Sequence, residues 1–281
     1  MKYILSLVFV FAVLLNSYGS TTPSLSHKDS VIIALNDTEK QLNALFLEMD
    51  SAQTDAIKLI YNDSIKSTLK QVLHYEESFK YPFSKLNRMG TVMAYDKSMR
   101  VFSWNIVLEK NYGYEALFVS KEGRIDSLSR ISDLVQPDEK AAYHTENWYG
   151  CLYYQIVPYK VRPSKEKVYL LCGWSQFKPY TQFKVLDVVS WDKQGRLQLG
   201  WPLFKIDDRY EKKRVVFEYY WQVKMYLDYD KRKKRIVFDH LSPLKKTGPL
   251  SQMWGPDMSV DCFKRKRKGW YFQEDIKIKN R

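Results

Sequence analysis

Cysteine is nearly absent from this chain: Cys151, Cys172 and Cys262 are the whole complement in 281 residues. So few and so scattered, they exclude a disulfide framework and a zinc site of close-spaced ligand pairs. A single bridge stays open, with Cys151 and Cys172 as its candidates, because both lie in strand-like segments that suit neighbouring strands. The alternative is that each thiol is an ordinary core residue. Histidine is scarce too. His27, His74, His144 and His240 show no His-Glu-x-x-His or comparable spacing, so neither a metal nor a cofactor is expected. A Gly-x-Ser-x-Gly nucleophile turn is missing, as is any apolar run of the roughly 20 residues that cross a bilayer as a helix.

The apolar run that does occur is short. Lys2, the apolar residues 3–15 and the small Ser17 and Gly19 predict a signal peptide over residues 1–19, cut before Ser20. The expected product is exported, periplasmic or at the cell surface, and its mature part carries no transmembrane anchor. Hydrophobic residues at 45% and aromatics at 15% supply an ample core and argue against disorder. The net charge is +13, and residues 205–281 hold 21 Lys/Arg against 11 Asp/Glu, which points to polyanions as partners.

Residues 20–78 read as a helical segment and residues 79–281 as a β-rich domain. Asn36 and Glu39 are spaced as a capping box, and Leu42, Leu45, Phe46 and Met49 follow at helical intervals. Ile57, Ile60, Ile65, Leu69, Val72 and Leu73 continue the stripe, with a break expected near Asn62-Asp63. Beyond Tyr81-Pro82-Phe83 the pattern becomes short aromatic and β-branched runs between turns, the signature of an antiparallel meander. Four turns look alike, near Asp96-Lys97, Lys121-Glu122-Gly123-Arg124, Asp192-Lys193 and Asp230-Lys231. Further strands are predicted over 149–157, 168–174, 183–189, 215–220, 223–229 and 269–272, with a loop or linker over 129–145. About a dozen strands suit a barrel, a sandwich or a small propeller-like arrangement.

Several late segments carry a family likeness: Trp148-Tyr149-Gly150, Leu170-Leu171-Cys172-Gly173-Trp174, Val215-Val216-Phe217, Ile236-Val237-Phe238-Asp239-His240 and Gly255-Pro256-Asp257. On these, the region from about Phe79 to Asn280 resembles an uncharacterised family of exported proteins from Bacteroidetes-type bacteria. The resemblance implies a cell-envelope setting and brings no activity or cofactor. Where that family has Gly-Trp-Asp-Gly-Asn and Ser-Tyr-Asp, this chain has Gly173-Trp174-Ser175-Gln176-Phe177 and Ser259-Val260-Asp261.

Asp239-His240 is the one adjacent acid–histidine pair, but neighbours on a strand face opposite ways and cannot bond without a bend. Asp257 and Asp261 suit an Asx turn better than a cation site. Asp207-Asp208 and Glu76-Glu77 lack the separation that paired glycosidase carboxyls need. Trp148, Trp174 and Trp254 would make a sugar-stacking platform only if they shared a face. The sharpest feature is the run Lys264, Arg265, Lys266, Arg267 and Lys268, echoed by Lys231, Arg232, Lys233, Lys234 and Arg235, each at a predicted hairpin tip. Such clusters attract anionic envelope polymers through counterion release, or else serve as solvated turns that block edge pairing. The function expected is non-catalytic binding or structural work in the envelope. Polyanion binding by the basic tips is the alternative, and a hydrolase with an unrecognised site the third reading.

Overall fold

The structure, a computed structural model, describes residues 26–131, 136–207, 211–245 and 253–277, so the predicted signal segment lies outside it. Strands take 44% of the chain and helices 20%; the expected mainly β, antiparallel class with helices at the N-terminal side holds, and the described residues form no closed barrel. Among the described residues no helix is long and apolar enough to cross a membrane.

Helix α1 (His27–Ser51) starts earlier than the Asn36–Glu39 spacing predicts. Val31 and Leu35 extend the buried stripe backwards, and Ser26 caps it by accepting from the Asp29 amide at 3.2 Å. Asn36 is therefore inside the helix. The break falls at residues 52–54, where Thr54 caps α2 (Asp55–Leu73), and not at Asn62-Asp63. Asn62 is instead buried: its amide donates to Glu115 at 2.8 Å and its carbonyl accepts from the Trp104 indole at 2.8 Å. Lys66 and Ser129 also reach Glu115, so one polar knot fastens α2 to the sheet below. Ile57 and Ile60 of the predicted stripe stay exposed.

Sheet I is the meander β1 (Gly90–Met93), β2 (Met99–Val107), β3 (Tyr112–Ser120) and β4 (Ile125–Arg130). Sheet II holds β5 (Leu152–Lys160), β6 (Lys167–Lys178), β7 (Thr181–Trp191), the short β8 (Leu197–Leu199) and β11 (Val215–Tyr220). Sheet III runs in the order β10-β9-β15-β14-β13-β12, from β9 (Phe204–Lys205), β10 (Glu211–Lys212), β12 (Leu227–Asp230), β13 (Arg235–Pro243), β14 (Trp254–Lys266) and β15 (Gly269–Gln273). Three cores separate these layers. Phe46, Leu69, Phe102, Trp104 and Leu117 pack the helices onto sheet I. Val101, Phe118, Tyr153, Leu171 and Val185 lie between sheets I and II, and Leu170, Cys172, Leu186, Ile236 and Phe263 between sheets II and III. Strands buried on both faces need apolar side chains at consecutive positions, which is why β2, β3 and β7 carry apolar residues on both faces, interrupted by polar groups such as Arg100, Glu115 and Asp187 that find buried partners.

Two buried arginines brace this stack. Arg100 of β2 reaches the carbonyls of Ser78, Phe79 and Pro82 between the rings of Phe83 and Phe102, and its burial away from any carboxylate lowers its pKa to about 10. Arg214 is fully buried; its Nε donates to Asp187 at 2.9 Å and its Nη1 to the carbonyl of Ala141 at 2.8 Å. Asp187 also accepts from the Tyr149 hydroxyl at 2.8 Å. Removing one partner strands the other charge in the core, so Arg214→Ala and Asp187→Ala should each cost about 3–5 kcal/mol in denaturant titration. The double variant should cost clearly less than the sum.

Candidate anion-binding face

In an up-and-down meander successive turns alternate between the two ends of a sheet. The antiparallel registers put the β1–β2, β3–β4, β5–β6, β7–β8, β12–β13 and β14–β15 turns at one end and the β2–β3 and β6–β7 turns at the other. All four look-alike turns of the sequence belong to the first end, and so do both basic runs. Lys231, Arg232, Lys233 and Lys234 form the β12–β13 tip; Arg267 and Lys268 form the β14–β15 tip. The expected hairpin-tip placement is thus seen for both runs, with Arg235, Lys264, Arg265 and Lys266 on the flanking strands.

The two tips are neighbours, because Arg235 pairs with Lys264 and the Arg265 amide donates to the Lys234 carbonyl at 3.0 Å. Two further tips close a ring. The Tyr159 hydroxyl of β5 donates to the carbonyls of Lys266 and Arg267, both at 3.0 Å. Lys167, at the start of β6, pairs with Asp96 at 2.7 Å and reaches Ser98 at 2.8 Å in the β1–β2 turn. Burial works to raise the Asp96 pKa, but the bonds from Lys167 and Ser98 outweigh it and hold the carboxyl below its usual range. Tyr95 completes the circuit, with its ring 5.5 Å from Tyr229 and under the Lys231 ammonium at 5.4 Å.

The four ring segments, residues 95–98, 160–167, 230–235 and 264–268, contain fifteen Lys/Arg and three Asp/Glu. That excess of twelve, in a chain of net charge +13, leaves the remainder about neutral. Of the three acids, Asp96 and Asp230 are already paired, with Lys167 and Arg235. Arg265 stacks on Tyr159 and Trp270, which fixes it against the sheet, while Lys97, Arg162, Lys165, residues 231–234 and residues 266–268 are exposed. Like charges crowded at one end raise the local potential and concentrate anions there.

Elsewhere the structure corrects or completes the sequence expectations. Cys151 and Cys172 do not form a bridge: both are free, buried thiols on opposite faces of sheet II, Cys151 toward sheet I and Cys172 toward sheet III. Successive strand positions point to opposite faces, so pairing Cys151 near Gly173 sends Cys172 the wrong way. A Cβ at Gly173 would run into the Cys151 sulfur, which explains glycine there. His240 does find a carboxylate, but it is Asp261 across the ladder, 2.9 Å away, and not its neighbour Asp239, which accepts from the Tyr226 amide. The register slips between Asp239 and Leu241 where Asp257, Met258 and Ser259 bulge out, and Asp257 closes the expected Asx turn by accepting from the Ser259 amide at 3.0 Å. Ser259 gives its hydroxyl to Asp257, so it is not poised as a nucleophile for His240. Trp148 is fully buried, Trp174 half-buried and Trp254 exposed on sheet III, so the three share no platform. Glu76 and Glu77 head a short 3-10 turn, and Asp208 lies outside the described residues.

No protein-family model matches the chain, and no curated protein matches it significantly.

Burial raises the pKa of all three thiols. A thiol-specific reagent should therefore find none reactive in the folded protein and three after unfolding. The bond to Asp261 raises the His240 pKa above its ordinary value. A raised histidine stabilises the fold fully below its unfolded pKa of about 6.5 and stops doing so as pH climbs through the folded value. With the side chain a third exposed, the increment should stay below about 1 kcal/mol. His240→Asn should remove the loss of stability that the unaltered protein shows as pH rises above about 6.5, read by denaturant titration across that range.

Proposed function

We propose that this protein is a non-catalytic binding protein of the cell envelope that holds anionic polymers on the ring of basic hairpin tips. The observation that carries the reading is the convergence of four tips, from three sheets, that together hold nearly the whole positive excess of the chain. Turns that merely kept strand ends soluble could carry charge of either sign, as residues 108–111 of the far-end β2–β3 turn do with one Glu and one Lys. The predicted signal peptide and the resemblance to exported proteins support an envelope setting, where phosphorylated and acidic polymers are abundant ligands.

Binding to heparin, lipopolysaccharide and duplex DNA should be measured across a salt series, beside a variant with residues 264–268 replaced by serine. Affinity should fall at least about 100-fold between 50 and 200 mM salt, as release of several counterions requires. The variant should bind at least about ten-fold more weakly and with a shallower salt slope. If the unaltered protein binds none of the three near physiological salt, the tips are solvated turns and the reading fails.

A further inference from the structure

A cavity of about 470 Å3 between sheets II and III is lined by four successive residues of β11, Val216, Phe217, Glu218 and Tyr219, with Leu241 and Trp254 as its facing wall. Successive strand residues point to opposite faces, so a cavity that touches all four runs along the edge of the strand and not over either face. That edge is the open side of sheet II, because β11 ends the order β11-β7-β6-β5. The register fixes which backbone groups look outward. Val216 gives its amide to the Glu139 carboxylate at 3.1 Å, and Trp221 gives its amide to the Tyr180 carbonyl at 3.1 Å. Even-numbered positions of β11 therefore turn away from β7 and odd-numbered ones toward it.

Glu139 closes one end of the edge. The other is closed by the Val223 amide, which donates to the Tyr220 carbonyl at 3.1 Å. Between them the backbone N–H and C=O of Glu218 have no hydrogen-bond partner among the described residues. Other sheet edges are engaged: the Tyr229 amide of β12 donates to Gln155 at 3.0 Å, and the Ile156 carbonyl of β5 accepts from the Tyr95 amide at 3.4 Å. A free donor and acceptor on a strand edge, beside a cleft, are the means by which an extended chain adds to a sheet. The open stretch, residues 217–220, spans about 13 Å at the usual rise. Each copy's β11 is hemmed in at both ends, which suits a separate peptide better than the same strand of a second copy.

An added strand would alternate its side chains between two unlike faces. One holds Phe217, Leu241 and Trp254, whose side chain is 45% exposed. The other, the Glu218 side, holds Thr181, nine-tenths buried, whose hydroxyl has no hydrogen-bond partner among the described residues. Lys178 and Glu218 pair at 2.9 Å on the rim, so the cleft calls for no net charge.

We propose that the β11 edge binds an extended peptide segment of a partner protein, which pairs with Glu218 and seats apolar side chains at every second position against Phe217, Leu241 and Trp254. The site adjoins the β6–β7 turn, at the end away from the basic tips, and is independent of the polyanion reading. The probe is a displayed library of random heptapeptides, panned on the protein at about 300 mM salt, where attraction to the basic tips is screened. Recovered peptides should carry apolar residues at alternate positions. Methylating their main-chain nitrogens one at a time should weaken binding at least about ten-fold at every second position and less than about two-fold between. Trp254→Ala should weaken it at least about ten-fold. Glu218→Pro removes an N–H that the ladder to β7 does not use, and should weaken binding at least about five-fold. Serine at residues 264–268 should change it less than about two-fold. No enrichment of peptides, binding indifferent to Trp254→Ala, or methylation losses without a two-residue period would overturn the inference. Sedimentation showing a dimer that Glu218→Pro splits would assign the edge to a second copy and overturn it as well. If Glu218→Pro does not fold, the methylation series and Trp254→Ala decide.

Discussion

The burial of sheet II on both faces governs the rest of the molecule. A sheet covered on one side can alternate apolar and polar residues, whereas this one must satisfy sheet I and sheet III at successive positions. Polar groups admitted to such a layer need complete partners. Asp187 has the Tyr149 hydroxyl, the Val188 amide and Arg214, and Arg214 in turn fastens residues 138–141 to the edge of the sheet. The same two-sidedness separates Cys151 from Cys172 and leaves both as inert, shape-filling groups.

Much of the architecture was legible beforehand, because β-branched and aromatic runs punctuated by turn residues are a direct consequence of strand chemistry. The strand at Val215–Tyr220 is read to the residue. The helix boundaries were not, and the reason lies in competition between local signals. Asn36 and Glu39 have capping-box spacing, but Ser26 stands further upstream at the head of the same apolar stripe, and a helix extends to the outermost cap its buried face allows. Asn62 looks like a cap in sequence and becomes a buried bridge because Glu115 and Trp104, more than forty residues away, wait to receive it.

The candidate site shows the same division. The two basic runs announce themselves, and so do four similar turns. Their meeting depends on the parity of turns in a meander, which follows once strands are counted, and on three sheets ending level, which no local pattern records. The partnership of His240 with Asp261 was hidden for a different reason: a bulge of Asp257, Met258 and Ser259 resets the register, so the acid is found across the strand and not beside it.

Crowding fifteen Lys/Arg against three acids at one set of turns, while the connections at the opposite end, residues 108–111, 179–180, 221–226 and 244–253, hold four Lys and one Glu, gives the protein an electric dipole along its strands. Such a body does not meet a negatively charged surface at random angles. The field turns it before contact, so that it lands end-on with strands upright and the β2–β3 and β6–β7 turns pointing away. Many copies would then stand side by side on one surface, each occupying only the cross-section of its sheets and presenting the same, less charged end outward.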